Sequence, residues 1–155
     1  MKIKAMMRGF GLALVPVAGF VGLTLAWSTA SISASPEQVK ELHVTKECSE
    51  DTGEPGAFCT ITSSNLPRIK VGSRVYYDQA PIVSTGVQDS NVVLDAGKGN
   101  RAVGRCTVDL ETGLGLCTFS DGMGRFDGFS ARVSVTPPED GVNWQWNGTY
   151  SFDRD

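Results

Sequence analysis

The residues able to do chemistry in this chain of 155 are few and widely spaced. Four cysteines fall in two equal intervals, Cys48 to Cys59 and Cys106 to Cys117. Thr52-Gly53-Glu54-Pro55-Gly56 lies within the first and Glu111-Thr112-Gly113 within the second, so each interval reads as two extended arms joined by a turn. Four cysteines admit three connectivities, and the turns favour the local one, Cys48–Cys59 with Cys106–Cys117. A four-cysteine zinc centre needs ligands in closely spaced pairs, about two to four residues apart. These intervals are far longer, so disulfides are expected and no metal or cofactor. Closing loops of about a dozen residues stabilises a fold by ~3 kcal/mol each in the chain-entropy description.

Other polar candidates are weaker. His43, the one histidine, has parity opposite to Leu42 and Val44, which turns it to solvent. No strand-turn-helix elbow presents a serine nucleophile. Asp78, Asp89, Asp95, Asp109 and Asp121 would serve as acid or base only inside an apolar pocket that raised their pKa. Turn and rim positions are expected for most of them, with Asp121 bonding its own turn backbone. Arg101, Arg105, Arg125 and Arg132 fall on outward parity or in turns. Tyr76, Tyr77, Trp144 and Trp146 stand apart, because adjacent aromatics in an all-β protein either fill the core or line a cavity. They are the ligand-binding candidates, and no catalytic set can be assigned.

The elements that must position these groups are strands. No stretch after residue 36 holds a 3.6-residue apolar period, whereas alternation with period two recurs. Segments 41–45, 57–63, 74–79, 91–96, 101–110, 114–119, 129–136 and 144–152 read as eight strands separated by turn residues. Arg101 to Leu110 is the clearest, with Ala102, Gly104, Cys106, Val108 and Leu110 on one face and Arg101, Arg105, Thr107 and Asp109 on the other. Val75 and Tyr77 share a face, as do Trp144 and Trp146. Short connections in sequential order predict an all-β, calycin-like, antiparallel up-and-down barrel over residues 38–155 rather than a sandwich with long crossovers. An eight-stranded barrel has an interior just wide enough to be filled by side chains or to hold one small ligand. The hairpin at 110–114 leaves two registers open. A two-residue loop at Glu111-Thr112 pairs Cys106 with Cys117, and a bulge at Gly115 would help it. A three-residue loop with Gly113 in a bulge pairs Leu110 with Leu114, buries more leucine and turns Cys117 outward.

Ahead of the strands lies an address. Lys2, Lys4 and Arg8 precede an apolar run from Gly9 to Trp27 and then Ser28-Thr29-Ala30-Ser31-Ile32-Ser33-Ala34, the order of a signal peptide cleaved after Ala30 or Ala34. Residues 1–34 are assigned to it, with an uncleaved membrane anchor as the alternative. Either route exports the domain to a secreted, periplasmic or extracellular setting, where cysteines oxidise. Removing those three cations takes the balance from 14 basic against 17 acidic groups to 11 against 17. Nucleic acid is excluded as a partner, since its affinity rests on clustered Lys and Arg. Asn147-Gly148-Thr149 matches a glycosylation sequon.

The segment Asp121-Gly122-Met123-Gly124-Arg125-Phe126-Asp127-Gly128-Phe129 resembles the Gly-x-Gly-x-Phe-x-Gly hairpin of allene oxide cyclases and dirigent proteins. The likeness extends as a strand pattern over about Asn100 to Phe152. It implies an eight-stranded barrel in which Gly122, Gly124, Phe126 and Gly128 form a structural turn. It also implies dimers or trimers, to which an outward Val103 would contribute. Isomerase, cyclase or dirigent-type activity is implied for the family, but its pocket residues have no counterparts that can be aligned here. The resulting expectation is a secreted, disulfide-tied barrel binding a small apolar or phenolic molecule without transforming it. An isomerase or cyclase would require an ionisable group facing inward beside a cavity. An extracellular or envelope interaction protein would require a broad exposed apolar patch.

Overall fold

The structure is a computed structural model that describes residues 38–82 and 84–153; the segment assigned as a signal, 1–34, lies outside them. Eight strands run β1 Lys40–Glu47, β2 Phe58–Ser64, β3 Arg74–Tyr77, β4 Val87–Asp95, β5 Arg101–Asp109, β6 Gly115–Met123, β7 Phe129–Thr136 and β8 Asn143–Phe152, with one 3₁₀ turn, Gly124–Phe126, between β6 and β7. Each strand pairs antiparallel with its sequence neighbours, and β1 pairs with β8 to close an up-and-down barrel. Closure gives every strand two neighbouring strands, which removes the aggregation liability of an open sheet.

Period-two alternation sorts the side chains. Ala102, Cys106 and Val108 of β5 and Phe129, Ala131, Val133 and Val135 of β7 are buried, while Arg101, Arg105, Thr107, Ser130, Arg132 and Ser134 between them face water. Both local disulfides are present, Cys48–Cys59 and Cys106–Cys117. Two intramolecular disulfides fit an oxidising compartment. Cys106 lies directly opposite Cys117, the register of the shorter loop.

Two details of that hairpin depart from expectation. The strands stop at Asp109 and Gly115, so Leu110 does not continue the inward face, and both Leu110 and Leu114 are exposed. Asp109 ends the strand by accepting bonds from the backbone N–H groups of Glu111 and Thr112 and from the Thr112 hydroxyl. The anticipated bulge at Gly115 is absent from its place, since Gly115 pairs regularly with Val108. The shift lies further along, where Val103 opposes Asp121 and Gly104 opposes Phe119, leaving Ser120 as the extra residue. That bulge changes the inward parity of β6 from Cys117 and Phe119 to Gly122.

The glycine-rich turn then has a packing task. A side chain at Gly122 would strike the backbone oxygen and Cβ of Phe126, and Gly128 adopts φ +66° against Asp153, a conformation that glycine tolerates and most residues do not. Phe126 is thereby folded completely into the core.

Candidate functional site

The barrel has two chemically different ends. At one, where β6 meets β7, the interior is filled. Phe126 packs edge-on to Phe129 with centroids 5.3 Å apart, Phe129 lies 5.1 Å from Phe152, and Leu66 and Ile69 of the β2–β3 connection are buried in the same core. The Arg68 guanidinium caps this end, 3.9 Å from the Phe152 ring centroid. Phe119 continues the aromatic column inward, 5.5 Å from Trp146.

At the other end the alternation of β1 delivers Leu42, Val44 and then Lys46 to the interior. Lys46 is only 3% exposed and Tyr77, the last residue of β3, 4%. Lys46 Nζ donates to the Tyr77 hydroxyl at 2.5 Å and sits 5.1 and 5.0 Å from the ring centroids of Tyr77 and Trp146. The sulfur of Cys59 is 3.5 Å from the same nitrogen. A cavity of about 200 Å³ opens here, lined by Lys46, Tyr77, Trp144, Val108, Val135, Gln88, Asp51 and Cys48. Lys46 and Trp144 are direct cross-strand partners, and the Cys48–Cys59 bond ties the loop carrying Asp51 to the start of β2. That loop is further held by the Asp51 N–H bond to Cys48 O at 3.0 Å.

Burial governs the electrostatics. It pushes the Lys46 amine down to about 7, against the opposing influence of the Asp51 carboxylate. Burial, reinforced by Asp51, pushes the Tyr77 phenol up. Near neutrality the site therefore holds a protonated phenol beside an amine that is neutral in a large fraction of molecules, the cost of desolvating an ammonium being the cause. Among the described residues Lys46 has no carboxylate within ion-pairing distance, the bridges being His43–Glu41, Arg101–Asp95 and Arg105–Asp89 on the outer surface.

Of the four aromatic candidates, Tyr77 and Trp144 line the cavity and Trp146 backs Lys46 one inward step deeper. Tyr76 is not brought to it; it lies on the outer wall, 5.4 Å from Phe58, with its hydroxyl accepting from Arg74. None of Asp78, Asp89, Asp95, Asp109 and Asp121 lines the cavity. Asp89 and Asp95 pair with arginines outside, and Asp121 accepts from the Gly122 N–H. His43 is exposed, bonded to Asn147, which with Glu41 raises its pKa. Lys46, Asp51 and Gln88 were not among the sequence candidates. The signal for Lys46 was available in the series Leu42, Val44, Lys46, Cys48, a single parity running into a cysteine.

A larger depression of about 460 Å³ on the outer wall, between Thr45, Thr62, Glu139, Asp140, Asn143 and Gln145, is open and polar. Its Asp140 carboxylate is already engaged by the Val142 and Asn143 N–H groups and the Asn143 side chain, and among the described residues it has no buried polar group at its floor, so the Lys46 cavity, with apolar walls around a buried amine, is the stronger site. Among the described residues no group of His, Cys, Asp and Glu is arranged to hold a metal ion. No protein-family model, no curated protein and no solved structure matches the chain.

Proposed function

We propose that the protein is an exported, calycin-like barrel of the allene oxide cyclase and dirigent type that binds a small aromatic or phenolic molecule at the Lys46 end. The observation that carries this reading is the cavity itself, with Val108, Val135 and Trp144 as apolar walls and the buried Lys46–Tyr77 pair as its polar anchor. Apolar walls with a few convergent polar groups are the usual make-up of small-molecule sites. At about 200 Å³ the cavity is smaller than the ~300–1,000 Å³ typical of drug-sized ligands, which favours a single-ring molecule. The family reading is supported by the barrel order and by the packing of Gly122, Phe126 and Gly128, and export by the two disulfides. Association into dimers or trimers would use the outer wall, where Val93 and Val103 are cross-strand partners; light scattering tests it, and a monomer at high micromolar concentration rejects it.

Tryptophan fluorescence tests binding directly, because Trp144 and Trp146 are two of the three tryptophans in the chain. Saturable quenching by 4-hydroxybenzyl alcohol is expected, weakened at least ~10-fold by Val108→Phe, which fills the cavity at a cost of about 1.4 kcal/mol in binding. Met123→Ala, at the filled end, should leave it unchanged. No saturable quenching by this alcohol or by a panel of other single-ring aromatics would reject the reading.

A further inference from the structure

We propose that Lys46 is a covalent capture group, its Nζ condensing with the carbonyl carbon of a small, uncharged aromatic aldehyde or ketone held in the cavity. The proposal rests on the small-molecule reading above and names the ligand class for that site. Three observations point to it. A structural lysine keeps its ammonium in water or pairs it with a carboxylate; Lys46 does neither, its amine being enclosed in the barrel with a phenol, an indole and a disulfide sulfur around it. The polar and aromatic groups around it are the Tyr77 hydroxyl of β3, the Trp144 and Trp146 rings of β8, Cys59 of β2, Gln88 of β4 and Asp51 of the β1–β2 loop. Among these Asp51 alone is anionic, and at the cavity lining it disfavours an anionic ligand that a charged lysine would otherwise attract. What remains favoured is an uncharged molecule with a flat ring for Trp144 and an electrophilic group for the amine. Desolvation supplies the reactive form, since it lowers the amine to about 7 and so leaves a large fraction of it neutral near that pH, as in lysines activated by apolar pockets.

The step balances within the site. The nitrogen lone pair attacks the carbonyl carbon, and the C=O π pair moves to oxygen. Tyr77, bonded to Nζ, is placed to pass its proton to that oxygen and to take one from the nitrogen. Tyr77 then gives a proton to the carbinolamine hydroxyl, which leaves as water while the nitrogen pair forms C=N, and the phenolate takes back the second N–H proton. One C=O and two N–H bonds are exchanged for one C=N and one molecule of water, with no oxidant, reductant or further reactant. Release is the reverse hydrolysis. Tyr77 exchanges protons with both the nitrogen and the carbonyl oxygen and is the proton-relay residue of the step.

The test is reductive trapping. The oxidised protein is incubated at pH 7 with 4-hydroxybenzaldehyde and sodium cyanoborohydride, digested, and mapped by mass spectrometry for secondary amines bearing one hydroxybenzyl group. Lys46 is expected to label at least ~10-fold faster than the exposed lysines Lys40, Lys70 and Lys98, as an amine activated by desolvation should. Labelling should saturate with aldehyde concentration and be competed by 4-hydroxybenzyl alcohol, which has the shape but no carbonyl. Tyr77→Phe should lower the saturating rate of trapping by a larger factor than it weakens quenching by the alcohol, whereas a hydroxyl that only anchors the ligand would move the two together. Quenching by the alcohol with Lys46 labelled no faster than the exposed lysines overturns the imine and leaves binding standing. Neither quenching nor selective labelling overturns both.

Discussion

The filled end and the Lys46 end are built from the same eight strands by the same alternation, and they differ in what the last inward positions and the loops supply. At the filled end the connections bring in Leu66, Ile69 and Phe126, and ring packs on ring from Phe152 to Trp146. At the other, the final inward residues are Lys46, Tyr77 and Trp144, and the adjoining loop contributes Asp51 in place of an apolar plug. A barrel stabilised by one packed half can carry an expensive buried amine in the other. Stability and chemistry are thereby divided along the barrel axis, and each half can be attacked separately.

The largest effect should come from the filled end. Phe126→Ala leaves a cavity under a fully buried ring and should cost about 3–5 kcal/mol by urea unfolding, whereas Trp144→Leu, at a half-buried position, should cost far less and chiefly weaken ligand quenching. Equal costs at the two positions would erase the division. Next, replacing Cys48 and Cys59 by serine should remove ~3 kcal/mol and also impair binding, because that bond holds the Asp51 loop. Replacing Cys106 and Cys117 should cost a similar amount with a smaller loss of binding, Cys48 alone of the four lining the cavity.

A third prediction concerns pH. In the folded protein the Lys46 amine is lowered to about 7, while an unfolded lysine titrates near 10.4, so between these values the unfolded chain binds more protons. Stability must therefore rise with pH across that window, by about 2 kcal/mol from pH 7 to 9, and level off below 7. Near pH 10 Tyr77 reverses the trend, since its raised pKa makes the folded state keep a proton that the unfolded chain loses. Lys46→Met should flatten the rise in urea titrations at successive pH values; an unchanged slope would mean that another group causes it. The smallest effect belongs to the rim. Asp140 is held at about 2 by bonds from the Asn143 side chain and from the Asn143 and Val142 N–H groups. Its contribution is present above about pH 4, the usual aspartate value, and is lost as pH falls toward 2. Asp140→Asn should trim that acid limb and leave both ends of the barrel intact.

Much of the fold was legible because alternation is a local signal. Arg101 to Asp109 and Phe129 to Thr136 could be read residue by residue, and the equal cysteine intervals carried the hairpin register. The leucines misled at its tip: burial of Leu110 and Leu114 looked attractive, but Asp109 ends the strand with three bonds to the turn before either can turn inward. The site was harder to see. Tyr77 and Trp144 were named as aromatics, yet Lys46 carries a type that usually marks the solvent face, which outweighed the inward parity that it shares with Leu42 and Val44. Asp51 reaches the cavity through a loop whose path depends on the Cys48–Cys59 bond, which period and spacing do not specify.

The most direct test of the division is a chemical-shift map of the side chains during titration with 4-hydroxybenzyl alcohol, using protein labelled at methyl, aromatic and lysine ε-carbon positions. Saturable shifts are expected at Lys46, Tyr77, Val108, Val135 and Trp144, and quiet signals at Phe126, Phe129 and Phe152. Shifts centred on the Phe126 end or on the outer wall around Thr62 and Gln145, with Lys46 and Tyr77 unmoved, would contradict it.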